Sequence, residues 1–170
     1  MNSLTRTLAT IATASALALT PVQAQAAPSF PSGCASTSAT TNGTWRVSLT
    51  PCLTSEEGYD NDSGSWVQKP AGVVTIKCEH SDYVFWSGRR CLVSGDWEVQ
   101  RDGNHVASGS FSVTADYDHG NSRFHIATYR CAGHGTYTFT VSNLAGTDAT
   151  EDNRPRTAYP PAVTARGTGC

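Results

Sequence analysis

The chain has 170 residues, of which 15% are charged, 38% hydrophobic and 9% aromatic, and glycine and proline together contribute 23. This composition excludes a collagen-like or grossly disordered chain, and the length fits one ordinary globular domain. The formal charge of −2 at pH 7 gives no basic excess, so nucleic acid is not an expected partner.

The first 26 residues have the pattern of a secretory signal peptide. Arg6 supplies a positive charge, Leu8 to Leu19 form an apolar run of 12 residues, and Ala24 and Ala26 make a small-x-small cleavage site. Such a run is too short to cross a bilayer, which needs about 20 apolar residues. Cleavage after Ala26 would leave 144 residues with a formal charge of −3. We therefore expect a secreted, extracellular protein without a membrane span, or a periplasmic one if the host has an outer membrane.

All six cysteines lie in the part expected to be exported: Cys34, Cys52, Cys78, Cys91, Cys131 and Cys170. In an oxidising compartment this even number predicts three disulfides. No two cysteines have the spacing of a zinc site and the five histidines are scattered, so neither a structural metal nor a cofactor is predicted. Six cysteines allow 15 connectivities, and their spacing leaves the pairing open.

The exported part has the composition of a β domain. Val, Ile and Thr total 30 there, against 13 for Leu, Met, Gln, Lys and Glu, and no stretch repeats apolar residues at helical spacing. Alternation of apolar and polar residues predicts strands at Trp45–Thr50, Val74–Cys78, Trp97–Gln100, Phe111–Ala115, Phe124–Ile126 and Tyr137–Ser142. Turn signals lie at 101–104, 118–121 and 132–135. This spacing predicts an all-β fold, an antiparallel β-sandwich of seven to eight strands stapled by three disulfides.

Three stretches are expected to be irregular, because they are rich in Ser and Thr (27–43), in acidic residues (53–65) or in proline (147–170). The expected organisation is a signal peptide at 1–26, a Ser/Thr-rich N-terminal segment at 27–43, a β-sandwich domain at 44–146, and a Pro-containing C-terminal tail at 147–170 that Cys170 anchors.

Three segments resemble strands of immunoglobulin-like domains: VTIKC (74–78), VQRDG (99–103) and GHGTYTFTVSNLAG (133–146). In this order they are similar to strands B, C and F. Val99 then stands where the family has a tryptophan, and Phe139 where it has the second cysteine. The resemblance implies an immunoglobulin-like β-sandwich, a fold that hosts many functions, so no binding residues are transferred from it.

A rival alignment makes ATYRC (127–131) similar to strand F. Tyr129 then lies two residues before Cys131, as in the tyrosine corner of the family, and GHGTYTFTVS becomes strand G. This alignment implies a disulfide between Cys78 and Cys131. The two alignments exclude one another.

The run EHSDYVFWSGRR between Cys78 and Cys91 is the best recognition candidate, because aromatic residues and arginine are enriched at binding hot spots. The predicted binding residues are Tyr83, Phe85, Arg89 and Arg90. The favoured interpretation of this run is nevertheless structural, a strand whose Val84 and Trp86 face the core while Tyr83 and Phe85 cap the other face. We expect Trp86 to be a core residue, and Arg89 and Arg90 to lie at the surface.

The strings Asp60–Gly64 and Asp116–Gly120 share a D-x-D-x-G pattern. Alternating carboxylates suit Ca²⁺, but Asp, Asn and Gly are also ordinary turn residues, and the turn is the favoured interpretation. The calcium candidates are Asp60, Asp62, Asp116 and Asp118. No catalytic residues are predicted, since no recognisable nucleophile motif is present.

These observations predict a secreted bacterial binding module without enzymatic activity, which engages an extracellular protein or a surface polysaccharide through loops of the sandwich. A small secreted inhibitor of an extracellular hydrolase is the alternative, because a disulfide-fixed loop is preorganised for binding. A second alternative is a small hydrolase that uses carboxylates such as Asp116 and Asp118.

Overall fold

The computed structural model describes residues 29–116, 122–149 and 156–170, and within these residues it contains β-strands and no helix. The predicted signal peptide, the turn at 118–121 and the calcium candidate Asp118 lie outside the described residues. The strands are β1 (Gly33–Cys34), β2 (Thr37–Thr41), β3 (Trp45–Asp60), β4 (Ser65–Ser81), β5 (Trp86–Gly88), β6 (Cys91–Arg101), β7 (Asn104–Ala115), β8 (Ser122–Thr128), β9 (Gly135–Asp148), β10 (Thr157–Ala158) and β11 (Val163–Gly169).

The strands form two antiparallel sheets whose apolar faces pack against each other. The first sheet has the order β1-β3-β4-β5, with β2 also paired to β3 and β8 also paired to β4. The second has the order β10-β9-β6-β7, with β11 also paired to β9. Seven strands have seven or more residues. The predicted sandwich of seven to eight strands is thereby confirmed, with short additional strands at its edges.

The long strands follow the immunoglobulin-like order. In the first sheet β3, β4 and β8 occupy the places of strands A, B and E, and in the second β7, β6, β9 and β11 occupy those of C′, C, F and G. The alignment that makes GHGTYTFTVSNLAG strand F is therefore correct, since β9 pairs with β6. The rival alignment is wrong, because Ala127 belongs to β8 and Cys131 bonds to Cys170.

The core lies between the sheets and is built from the alternating residues of each strand. Each of the six predicted strands is part of an observed strand. Val99 and Phe139 are fully buried, so an apolar pair fills the positions of the family's tryptophan and second cysteine. Trp45 crosses between the sheets, and its indole N–H donates to the Gly146 carbonyl over 3.0 Å. Burial of these apolar faces is the main favourable term in forming the sandwich.

Parts of each segment expected to be irregular form strands. Residues 53–60 continue β3, the N-terminal segment contains β1 and β2, and the C-terminal tail contains β10 and β11. That expectation is wrong because each segment hydrogen-bonds along a neighbouring strand: β11, for example, pairs with β9 over seven residues. Such pairing holds a segment extended without requiring an apolar alternation in its own sequence.

The three predicted disulfides are present, and no cysteine is free. Cys34–Cys52 links β1 to β3 within the first sheet, while Cys78–Cys91 joins β4 of the first sheet to β6 of the second. Cys131–Cys170 ties the segment after β8 to the end of the chain. The implied Cys78–Cys131 bond is wrong because these residues lie toward opposite ends of the sandwich: Cys78 pairs in register with Val47 near the start of β3, whereas Cys131 follows the far end of β8.

Two buried tyrosines pack together where β9 begins, with ring centroids 5.9 Å apart. The Tyr137 hydroxyl donates to the Gly133 carbonyl and accepts from the Ala132 N–H, both over 2.8 Å, which is the tyrosine corner of an immunoglobulin-like domain. The Tyr129 hydroxyl is buried without a hydrogen-bond partner among the described residues. Burial, assisted by the neighbouring Tyr137, strongly raises the pKa of Tyr129.

These two tyrosines make a matched pair for mutation. Tyr137→Phe removes two hydrogen bonds and should lower the free energy of unfolding by about 1 to 3 kcal/mol. Tyr129→Phe removes a hydroxyl that has no hydrogen-bond partner among the described residues, and it should leave the free energy of unfolding unchanged or raise it. Urea denaturation of both variants measures the difference, and equal destabilisation by the two substitutions would contradict the assigned hydrogen bonding.

Candidate functional site

The segment 79–90, called here the recognition loop, is a short hairpin that the Cys78–Cys91 disulfide closes at its base. Strand β5 returns along the end of β4, with Ser81 opposite Trp86 and Glu79 opposite Gly88. At the turn the Asp82 N–H donates to the Phe85 carbonyl over 3.1 Å. The loop is therefore held by backbone hydrogen bonds and by a covalent bond at the same time.

Three consecutive apolar side chains form the tip of the recognition loop. Tyr83 is 98% exposed, Val84 75% and Phe85 76%, and Tyr83 adopts a positive φ of 66°. The hairpin turn carries these side chains beyond the end of β4, where they remain in solvent. Single exposed apolar residues are ordinary on a protein surface, but three consecutive ones are a feature that the packing of the sandwich does not explain.

The two arginines among the predicted binding residues lie at the base of the recognition loop, apart from the tip. Arg89 is half-buried, and its backbone N–H donates to the Cys78 carbonyl over 2.9 Å. Arg90 is exposed, and its Nε lies 3.4 Å from Oδ1 of Asp116 at the end of β7. The structure thus brings Tyr83 and Phe85 together at the tip and places Arg89 and Arg90 beside the sandwich.

Trp86 is not a core residue, and that expectation is wrong. Its side chain is 38% exposed, and the Arg46 guanidinium lies 4.2 Å from the centre of its ring. The register of the hairpin is the physical reason: Trp86 opposes Ser81, on the strand face opposite to buried Cys78, so it points to the outside of the first sheet. The contact with Arg46 is a cation–π interaction at the surface.

A buried carboxylate, which the sequence analysis missed, organises the base of the recognition loop. Glu79 Oε2 accepts hydrogen bonds from Arg46 Nη2 over 2.6 Å and from Arg46 Nε over 2.9 Å, and Glu79 Oε1 lies 2.7 Å from Lys77 Nζ. Burial alone would raise the pKa of Glu79, but the hydrogen bonds and charges of Lys77 and Arg46 outweigh burial and lower it. Lys77 and Glu79 lie two residues apart on one strand face, which was the available sequence signal.

The first predicted calcium loop is the turn between β3 and β4. The Asp60 carboxylate accepts hydrogen bonds from the Ser63 hydroxyl over 2.8 Å and from the Ser63 N–H over 3.3 Å, and these bonds, together with the charge of Lys69, lower the pKa of Asp60. Asp62 is exposed in the same turn, and Asp116 faces Arg90. Within residues 29–116, 122–149 and 156–170, no group of three or more His, Cys, Asp or Glu side chains could hold a metal ion.

No protein-family model matches the chain, and neither a curated protein nor a solved structure matches it. The fold and the loop define the class of protein: an antiparallel β-sandwich with three disulfides that presents a closed hairpin with an apolar tip. In the part of the chain that the structure describes, no helix is long and apolar enough to cross a membrane.

The carboxylate of Glu79 gives the recognition loop a pH dependence. Because the pKa of Glu79 is lower in the folded than in the unfolded chain, its stabilising contribution is complete above its ordinary pKa of about 4.5 and is lost as the pH falls through the lowered value. At pH 7, Glu79→Gln should lower the free energy of unfolding by about 1.5 to 3 kcal/mol, the range for hydrogen bonds to a charged group.

The measurement is the melting temperature of the wild type and of Glu79→Gln between pH 7 and pH 2. The difference in melting temperature between the wild type and Glu79→Gln should become smaller as the pH falls toward 2. Glu57→Gln, at an exposed position of β3, is the matched control and should show no such gap. A gap for Glu79→Gln that stays constant down to pH 2 would contradict the assigned lowering of the pKa.

Proposed function

We propose that this protein is a secreted, non-enzymatic binding module that engages an extracellular protein through the tip of the recognition loop. The observation that carries the proposal is the exposure of Tyr83, Val84 and Phe85 on a hairpin closed by a disulfide. A convex apolar tip complements a pocket on a partner, and a protein surface provides such a pocket more readily than a polysaccharide chain does.

The energetics of association favour a rigid tip. Binding costs free energy when flexible side chains and loops become ordered. A hairpin whose two ends are already joined by a disulfide avoids most of this cost. Aromatic side chains such as Tyr83 and Phe85 contribute large contact areas while having few rotatable bonds. The tip therefore combines the residue types and the rigidity that characterise binding hot spots.

Export to an oxidising compartment is the setting that the covalent structure supports. All six cysteines are paired in disulfides, and such bonds persist outside the reducing cytosol. The apolar run at Leu8–Leu19 and the small residues up to Ala26 supply the corresponding export signal in the sequence.

A non-enzymatic role agrees with the state of the candidate carboxylate. Asp116, considered for a small hydrolase, is mostly exposed and pairs with Arg90. A solvent-exposed ion pair of this kind is an ordinary surface contact that contributes little free energy, whereas hydrolases of the two-carboxylate type place their acidic group in a pocket that shields it from water.

Inhibition of an extracellular hydrolase is the second candidate, and the shape of the recognition loop favours it. Tyr83 projects almost completely into solvent from a loop closed between Cys78 and Cys91. A protruding, covalently fixed loop can enter the cleft of an enzyme with little loss of conformational freedom. The two candidates use the same tip and differ in the identity of the partner.

The tip can be tested by affinity capture from culture medium with the immobilised protein. Tyr83→Ser combined with Phe85→Ser should abolish capture of the partner while leaving the melting temperature within about 2 °C, because truncating exposed side chains costs binding rather than folding. Tyr159→Ser is the matched control, since Tyr159 is also an exposed tyrosine but lies near the C-terminal strands, and it should capture as the wild type does.

The captured material separates the candidates. A hydrolase whose activity falls on addition of the protein indicates inhibition, and another extracellular protein indicates a binding module. Capture that survives the double substitution would contradict the role of the tip. Turnover of a generic hydrolase substrate by the purified protein would overturn both candidates.

A further inference from the structure

The long hairpin formed by β3 and β4 extends beyond the sandwich at the end opposite to the recognition loop. Leu53 of β3 and Pro70 of β4 are its last buried apolar residues, and the two strands continue beyond them to a turn at 61–64. Seven more residues of β3 correspond to an arm of about 20 Å at the usual rise of a strand. We call residues 54–70 the arm.

The arm carries two aromatic side chains that remain largely exposed. Tyr59 and Trp66 are directly opposite each other in the strand register, with ring centroids 5.8 Å apart and planes at 72°. Their exposed fractions are 51% and 69%. Packing them against each other stabilises the arm slightly, but it leaves most of the Trp66 ring accessible for a ligand.

A cleft of about 1020 Å³ opens between the arm and the sandwich. Val67 and Pro70 of the arm form one wall, while Val106 and Ala107 of β7 lie across from them. Tyr129, whose buried hydroxyl has no partner among the described residues, also lines it. A volume of this size is at the upper end of the range for small-molecule sites.

The polar groups that line the cleft are balanced in charge. Asp60 and Asp62 contribute two carboxylates, and Lys69 and Arg130 contribute two cations. The lining also contains His105, whose Nδ1 lies 3.3 Å from Glu98 Oε1. Lys69 Nζ lies 3.7 Å from Asp60 Oδ1 and also donates to the Tyr59 carbonyl over 2.9 Å. A phosphate would require an excess of cations and a metal ion an excess of carboxylates, so the balance favours a neutral ligand with many hydroxyl groups.

We propose that this cleft, together with the aromatic pair on the arm, binds a neutral saccharide chain. The C–H faces of a sugar ring are apolar and pack against an aromatic ring such as Trp66, while its hydroxyl groups exchange hydrogen bonds with carboxylates, amides and ammonium groups. Asp62 and Gln68 line the cleft and supply hydrogen-bonding groups. Trp66 is not part of the lining, but it lies on the same strand face as Gln68 and supplies an exposed stacking surface beside the cleft. The apolar walls exclude water from the remaining contacts.

This site is independent of the recognition loop. The two lie at opposite ends of the ladder between β3 and β4, which runs from the Trp45–His80 pair to the Asp60–Ser65 pair. Sixteen residues of β3 separate them by about 50 Å along the strand. The molecule can therefore bind a protein partner at one end and a saccharide at the other at the same time, and it would link these two ligands.

The test is isothermal titration of the full chain with neutral hexasaccharides built from glucose, N-acetylglucosamine, mannose or xylose. At least one should bind, and Trp66→Ala should weaken that binding at least tenfold. Tyr83→Ser, at the other end of the molecule, is the control and should bind as the wild type does. Melting curves of both variants should match the wild type, since both side chains are largely exposed.

Three results would overturn the proposal. The first is the absence of binding to every member of the panel. The second is binding that Trp66→Ala leaves unchanged. The third is tighter binding of a sulfated hexasaccharide than of its neutral counterpart, because it would contradict the argument from balanced charge. None of these results bears on the capture of a protein by the Tyr83 tip, so the two proposals can fail separately.

Discussion

The disulfide between Cys78 and Cys91 is the constraint on which both the fold and the candidate site depend. It connects the central strand β4 of one sheet to the central strand β6 of the other, and both of its cysteines are buried. A loop of this length contributes about 3 kcal/mol in the chain-entropy description. The same bond closes the base of the recognition loop, so the covalent link that holds the sheets together also keeps an apolar tip in solvent.

A second set of interactions acts on the outer face of the first sheet. Arg46 connects the buried carboxylate of Glu79 to the exposed ring of Trp86, and in this way it anchors the returning strand of the recognition loop to β3. An apolar tip would gain free energy by folding back on the sandwich. The disulfide at the base and the Arg46 contacts on the outer face oppose this collapse, which leaves Tyr83 and Phe85 available to a partner.

The strands and the core could be predicted from the sequence, because alternating apolar and polar residues indicate a strand with one buried face. The order of the motifs along the chain predicted the sandwich. Tyr83 and Phe85 were selected because aromatic residues are enriched at binding hot spots, and their exposure is a finding of the structure. Three features could not be predicted from the sequence: the disulfide partner of Cys78, the outward direction of Trp86 and the role of Glu79. Each depends on which strands become neighbours and on the register that a turn imposes, and a one-residue change in register moves a side chain to the opposite face.

The central claim is that the tip of the recognition loop is rigid before any partner binds. Nitrogen-15 relaxation of the free protein in solution measures this directly through the backbone order parameters of residues 82–85. The account predicts values of about 0.85, the level of rigid backbone in strands. Values below about 0.6, the level of a flexible segment, would contradict it, because the tip would then have to become ordered on binding and the disulfide would not have fixed it.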